Sequence, residues 1–327
     1  MTATLDCSYV VPVKWGDGEL RVDLARYLAE LAGRGIEAIV VDGSGPEVFA
    51  ANERAWGGVA THLRPTGSSL NGKVDGVTTG IQSASREKVV VADDDVRYDA
   101  PALARALALL DDHDLVRPQN FFAPLPWHAR WDSARTLLNR SFGADFPGTL
   151  AIRRSRFLAI GGYDGDVLFE NLELIRTVRA GGGTVASPLD LYVRRLPPTA
   201  AHFRGQRVRQ AYDDFALPAR MAGALALVPL LPLALRRGRG RAVLGATVLS
   251  IAVAERGRRR ANGRHFFPAS ASLLAPAWLL ERGVCAWLAL WLRLRHGGVR
   301  YAGSVISVAA NSERSLRSSR TFSPSTN

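Results

Sequence analysis

The chain has 327 residues, 42 Lys and Arg against 30 Asp and Glu, and a formal charge of +12, a length that suits roughly two domain-sized units. Residues 1–193 hold 20 basic and 25 acidic side chains, whereas residues 194–327 hold 22 and 5. The arginines of the second part flank apolar runs without an aromatic-plus-basic stacking motif, which argues for anionic lipid head groups and against nucleic acid. Cys7 and Cys285 are too few for a disulfide framework and lack metal-ligand spacing. The amino-terminal MTATLDCSYVVPV has no basic stretch leading into a long apolar run, so no secretory signal is expected and the first part is expected to stay in the cytoplasm.

In chain order, residues 9–13 form a short apolar strand ended by the polar WGDGE turn, and residues 20–31 carry helical spacing stopped by Gly33 and Gly35. Residues 36–41 are the next strand, followed by Asp42-Gly43-Ser44-Gly45; residues 47–56 read as a helix and 59–63 as a short segment. Asn71-Gly72-Lys73 opens a helix to about Ser83, and VVVADDDVRY at 89–98 is an apolar run driven straight into three aspartates. A helix over 101–110 and a strand at 114–116 lead into the irregular aromatic NFFAPLPWHARW, which turns helical to about Arg140. Residues 148–153 read as a strand, 157–162 and 170–180 as helices with glycine stops, and 185–193 as strand. This alternation predicts an α/β fold with a parallel sheet and right-handed crossovers.

After Pro197-Pro198 the composition changes. HFRGQRVRQAYDDF at 202–215 reads as an amphipathic helix, and three apolar runs follow at 221–235, 242–254 and 273–292. The first two are shorter than the roughly 17–25 residues of a spanning helix, and the third holds Glu281-Arg282 near its middle, which is costly in hydrocarbon. Arginines lie before the first run, in the RRGRGR link and after the second. Basic loops stay inside, so the expectation is monotopic or re-entrant attachment to the inner membrane with the catalytic part cytoplasmic; a two-span hairpin is the alternative. Residues 311–327 are Ser- and Arg-rich and expected to be disordered.

The acidic triplet carries the chemistry. Adjacent carboxylates repel unless a cation lies between them, and strand ends of this kind are where open α/β sheets bind ligands. Asp93 and Asp95 alternate, which suits a hard divalent ion, Mg2+ or Mn2+. A solvated acidic turn is the bland alternative. Occupation of these side chains by an arginine of the protein itself would remove the assignment.

The order of pieces resembles a family 2 glycosyltransferase of the GT-A fold, the group that includes cellulose synthase, chitin synthase and dolichyl-phosphate sugar transferases. The resemblance covers about residues 9–210 and implies a Rossmann-like, mostly parallel nucleotide-diphospho-sugar transferase sheet with a C-terminal helical membrane-associated region, similar in layout to cellulose synthase and ceramide glucosyltransferase. It divides the chain into a catalytic domain at 1–200, an amphipathic helix at 201–216, a membrane-associated region at 217–305 and a tail at 306–327.

IVVDGSG implies that Asp42 holds the nucleotide's base or ribose, and Asn71-Gly72-Lys73 resembles G-K-x-x-A-L-N and puts Lys73 near the diphosphate. VVVADDDV resembles D-x-D, implying that Asp93 reaches the nucleotide and Asp95 ligates the metal, with Asp94 between them. GGYDGDVLFENLELIRTVR resembles G-G-[FY]-D…E-D-x-x-L-x-x-R, in which the aspartate after the glutamate is the general base. Here that position is Asn171, an amide with no usable pKa. Glu170, Glu173 and Asp166 are the nearby substitutes, and Glu170 equally suits a first-turn helix acid. Gln206 and Arg209 match Q-x-x-R of Q-x-x-R-W, with Gln210 in place of the tryptophan; His202 lies one turn earlier, and Trp127 and His128 are candidate acceptor contacts.

The resemblance implies transfer from a UDP- or GDP-sugar, with inversion, to a lipid-linked or membrane-proximal hydroxyl. A non-catalytic nucleotide-sugar-binding scaffold of an envelope polysaccharide pathway is the alternative. A processive polysaccharide synthase is a third, disfavoured because the chain lacks several full-length spans.

Overall fold

The computed structural model describes residues 5–16 and 21–319; most of the WGDGE turn and the expected start of the first helix lie outside them. The elements run β1 (Ser8–Val13), α1 (Arg21–Ala32), β2 (Glu37–Asp42), α2 (Pro46–Trp56), β3 (Thr61–Leu63), α3 (Gly72–Ser83), β4 (Lys88–Ala92), β5 (Val96–Arg97), α4 (Ala100–Leu109) and β6 (Leu115–Val116). Next come β7 (Gln119–Phe122), α5 (Trp127–Phe142), β8 (Thr149–Arg153), α6 (Arg154–Ala159), α7 (Glu170–Ala180), β9 (Val185–Ala186) and β10 (Tyr192–Arg195). The chain ends in α8 (Ala200–Tyr212), α9 (Pro218–Arg236), α10 (Gly240–Arg259), α11 (Ala269–Leu273), α12 (Ala275–His296), β11 (Val299–Tyr301), β12 (Ser304–Ile306) and α13 (Glu313–Ser319), with short 3-10 turns flanking α9 and α10.

The chain forms two compact units, one of residues 1–118, 147–193 and 311–327, the other of 119–146 and 194–310. Both are discontinuous in sequence. The first unit holds a seven-stranded sheet in the order β3-β2-β1-β4-β8-β6-β9. β1, β2, β3 and β4 are parallel, whereas β8 is antiparallel to both β4 and β6. The sheet is therefore mostly parallel, and the departure is β8, whose direction its apolar composition does not encode.

Alternate residues of each strand face opposite sides, and both sides are covered. Tyr9, Val11, Val90 and Ala92 join Leu24, Leu28, Leu31, Leu103 and Leu107 in one core, with α1 and α4 over it. Val10, Val89 and Val91 join Val74, Val77, Ile81, Phe157, Ile175 and Val178 in the other, under α3, α6 and α7. Burial on both faces is why these strands read as continuous apolar runs. α3 lies close to β1 because Gly76 and Gly80 face it: a Cβ at Gly80 would fall 2.3 Å from Val10 Cγ1, and one at Gly76 2.8 Å from Pro12 Cβ.

Two expectations are corrected here. The aromatic segment after Val116 begins with strand β7 rather than irregular chain. The tail expected to be structureless holds α13, and Asn311 bonds back to α7; residues 320–327 lie outside the described residues.

In the second unit α5 and α10 meet closely, since a Cβ at Gly257 would fall 1.9 Å from the Leu137 carbonyl oxygen. The charged pair inside α12 is satisfied by protein. Arg207 pairs with Glu281 at 2.7 Å and Asp132 at 3.0 Å, Trp131 Nε1 donates to Glu281 Oε2 at 2.6 Å, and Arg282 pairs with Asp214 at 2.8 Å. Of the three apolar runs, α9 extends to 19 residues. Among the described residues it alone is long and apolar enough to cross a membrane, judged by length and composition. Leu230, Leu235, Leu249, Val284, Trp287 and Trp291 on α9, α10 and α12 are exposed.

Candidate functional site

β4 stops where its side chains become charged. Asp93, Asp94 and Asp95 form a turn closed by Val96 N–H donating to the Asp93 carbonyl at 3.0 Å, and all three are half-buried. The turn is pinned from below: Asp93 N–H donates to the Gly148 carbonyl at 2.8 Å, and Thr149 Oγ1 donates to that of Val91 at 2.7 Å. Buried Arg97 donates to the carbonyls of Asp94 (2.7 Å) and Val96 (2.8 Å) and also pairs with Asp23. Trp15 Nε1 donates to Asp94 Oδ2 at 2.5 Å.

Lys73 joins this turn to the candidate acceptor-side segment. Its Nζ lies 2.5 Å from Asp93 Oδ1 and 2.5 Å from Glu170 Oε1. Burial works against a charge on Lys73, but the carboxylates of Asp93 and Glu170 outweigh it and raise the amine's pKa, so it stays an ammonium. Lys73 and Glu170 are 97 positions apart and meet because of Asn71. The Asn71 side chain caps α3 by accepting from Lys73 N–H (3.2 Å) and donates to the Val167 carbonyl (2.9 Å), while its own N–H donates to the Gly165 carbonyl (2.9 Å). A Cβ at Gly165 would fall 2.2 Å from Ser69 Oγ, so the two loops touch only because this residue is glycine.

Asp42 ends β2 wholly buried. Burial would raise its pKa, but hydrogen bonds from Ser44, Asn52 and His62 more than offset this and leave it below the usual carboxylate range. Ser44 N–H and Asn52 Nδ2 both donate at 2.8 Å, and His62 Nε2 lies at 3.2 Å. Ser44 Oγ in turn accepts from Trp15 N–H at 2.8 Å. The Asp42 turn and the acidic turn are thus linked through Trp15. Arg64 lies 3.8 Å over the Phe49 ring and donates to the Ser44 carbonyl at 2.9 Å.

Glu170 and Asn171 open α7. Asn171 Nδ2 donates to the Pro147 carbonyl at 3.0 Å, one residue before the Gly148 that holds Asp93. Glu173 is wholly buried, and burial raises its carboxyl pKa. It accepts from Asn311 N–H (2.7 Å) and Asn311 Nδ2 (3.0 Å), and the same Nδ2 donates to Asp164 at 2.8 Å. Asp166 Oδ1 accepts from Leu70 N–H at 2.9 Å. Glu173 and Asp166 are thus engaged in holding loops, and Glu170 is the acid paired with the Lys73–Asp93 cluster.

The remaining expected residues belong to the second unit. Gln206 contacts His202 and accepts from Gln210 Nε2 at 3.4 Å, and Arg209 lies 5.0 Å over the Tyr301 ring. Between them, Arg207 is the buried arginine of the segment. Trp127 is exposed, and His128 Nε2 lies 2.7 Å from the Pro198 carbonyl. Trp15, Ser44, Asn52, His62 and Asn311 carry no motif of their own in the sequence. Their side chains act only once distant segments meet; the sole local signal was Asn71 one position before a helix start.

Among the described residues no group of three or more His, Cys, Asp or Glu could hold a metal ion unaided. The turn does offer hard carboxylate oxygens from Asp93 and Asp95, and these fit Mg2+ or Mn2+ when a ligand's oxygens complete the shell. Lys73 sets an ammonium on the Asp93 carboxylate of the triplet.

No family model matches the chain, and no curated protein matches it. Among solved structures it is similar to the mannosyltransferase PcManGT from Pyrobaculum calidifontis, in complex with GDP-Man and Mn2+, with a TM-score of 0.56 and 20% identity over 86% of this chain and 87% of that one. Weaker likenesses, both with a TM-score of 0.41, are to S. aureus TarS 1–349 with UDP (12% identity, 62% of this chain, 64% of that) and with UDP-GlcNAc (14%, 61% of each). With its mostly parallel seven-stranded sheet, the chain has the GT-A-like α/β fold of glycosyltransferases.

Proposed function

We propose that the chain is a glycosyltransferase that moves a sugar from a UDP- or GDP-sugar to a lipid-linked or membrane-proximal hydroxyl, with inversion. The observation that carries this reading is the Lys73 bridge, which sets a donor-side acid, Asp93, and an acceptor-side acid, Glu170, on one ammonium at the carboxyl end of β4. The GDP-Man and Mn2+ in PcManGT support a nucleotide-sugar donor and a divalent ion for this fold.

In this reading Asp42 orders the wall that receives the nucleoside, through Ser44 and Trp15. Glu170 takes the proton of the acceptor hydroxyl as that oxygen bonds to the anomeric carbon. The bond from this carbon to the diphosphate oxygen breaks, its electron pair leaves with the nucleoside diphosphate, and Lys73 meets the charge that develops. Mg2+ or Mn2+ held by Asp95 and Asp93 would supply further positive charge to the same leaving group.

The reading places the chain at the inner membrane with its first unit cytoplasmic. The 19-residue α9, the exposed Leu and Trp side chains of α9, α10 and α12, and the RRGRGR link support this.

The test is a panel of nucleotide sugars screened with Mn2+ for thermal stabilisation and then for turnover with a membrane-lipid extract. Asp95→Ala is expected to lose about 10²-fold or more of the turnover at an unchanged melting temperature, and Glu170→Gln about 10²–10⁴-fold. Retained metal-dependent turnover in Asp95→Ala would overturn the site. Donor binding by the wild type without transfer to any lipid would favour the non-catalytic binder.

A further inference from the structure

We propose that Lys73 is an internal counter-cation that occupies Asp93 and Glu170 until a nucleoside diphosphate draws it away, so that the divalent cation and the diphosphate are taken up together. The proposal rests on the donor site assigned above. Lys73 Nζ sits 2.5 Å from one oxygen of each acid, and all three side chains are largely covered, at 19%, 19% and 14% exposure. An ammonium is a point charge with three donors and no fixed fork, so it can hold two carboxylates and exchange one for a phosphate oxygen. A divalent ion approaching Asp93 meets this positive charge first. Without another anion to move to, the ammonium would give up its ion pairs with Glu170 and Asp93 at once.

A diphosphate changes this balance by bringing negative charge of its own. The backbone of Lys73 stays fixed, since Asn71 caps the helix start and is tied to the Gly165 and Val167 carbonyls. Only the four-carbon stem has to swing. Its departure exposes Asp93 to the metal and Glu170 to the acceptor in one movement, so the base becomes available only with the donor in place.

The experiment measures Mn2+ binding to the full-length chain by electron paramagnetic resonance of the free ion, with metal alone and with GDP or UDP. The wild type is expected to bind Mn2+ alone weakly and at least 10-fold more tightly with a nucleoside diphosphate. Lys73→Met is expected to bind Mn2+ alone at least 10-fold more tightly than the wild type and to lose most of the nucleotide effect, while Lys73→Arg keeps the wild-type pattern. Lys73→Met binding Mn2+ alone no better than the wild type overturns the proposal. Lys73→Gln repeats the test if Lys73→Met does not fold. Should neither fold, equal wild-type affinity for Mn2+ with and without GDP or UDP overturns it. These arms need no turnover, so a chain that gates Mn2+ as described yet transfers no sugar refutes the enzyme reading and leaves the gate standing.

Discussion

At position 171, in the first turn of α7, an amide stands where a general base of this pattern would be a carboxylate. Asn171 Nδ2 donates to the Pro147 carbonyl, and the next carbonyl along, that of Gly148, holds Asp93 N–H. A carboxylate at 171 would set two acceptors against each other and lose the tie to the loop under the acidic turn. Asn171→Asp is therefore expected to destabilise the fold by about 1–2 kcal/mol at pH 7.5 without gaining base function. The new carboxyl would have a raised folded-state pKa, because its protonated form can donate to Pro147. The penalty is then absent below the ordinary carboxylate range and grows as pH rises through the raised value, so urea melts at pH 5 should show a smaller deficit. Equal deficits at both pH values would reject this role. The sequence displayed the substitution but not its reason, since the Pro147 carbonyl is 24 positions away and its direction is set by tertiary structure. Asp93, Asp94, Asp95 and Lys73 stand out in the sequence for the opposite reason: charge placed directly after an apolar strand, or at a helix start, is itself the signal.

Among the elements, α3 decides whether Lys73 reaches its partners. Gly76 and Gly80 lie one turn apart and bring the helix onto Pro12 and Val10 of β1, where no Cβ fits. Gly80→Ala would push a methyl into Val10, which is itself wholly buried, and the helix would have to retreat. The expected cost is about 1–3 kcal/mol in urea denaturation, together with a weaker nucleotide effect on Mn2+ binding because Lys73 moves with the helix. Unchanged stability would show that the helix has room to spare. Most elements were readable because strands buried on both faces and helices with one apolar stripe leave clear periods of 2 and 3.6. Strand direction leaves no such mark, and so β8 could not be placed antiparallel between β4 and β6. β7 leaves no strand signal because its four residues, with Pro118 before them and Ala123-Pro124 after, are too few to show alternation.

For the whole molecule, the lesson is that the first unit is closed by a piece of chain far from the rest of it. The chain leaves that unit after Val193 and re-enters at Asn311. No local pattern announces the return, because a Ser- and Arg-rich stretch reads as solvated tail until Asn311 meets the two acids it serves. Glu173 is wholly buried beside Asp164; burial and Asp164 push its pKa up, and the bonds from Asn311 and the nearby Arg176 pull it down. Arg176 Nη1 also donates to the Asn311 carbonyl at 2.7 Å, and Arg179 approaches Glu313 of α13 at 3.7 Å. Asn311→Ala removes the side-chain donor shared by Glu173 and Asp164. It leaves a covered carboxylate with fewer partners, at a cost of about 1–3 kcal/mol. The sign of its pH dependence follows from the direction of the shift. The variant's Glu173 pKa rises further in the folded state while the unfolded value stays ordinary. The deficit is therefore smallest below the ordinary carboxylate range and grows as pH rises through the raised folded value. Urea melts at pH 5 and pH 7.5 should show the larger loss at pH 7.5, and an Asn311→Ala deficit that does not change with pH would mean that Glu173 is not the group this residue serves. A chain ending at Ala310 should lose at least as much, because the backbone N–H and carbonyl of Asn311 go with the side chain.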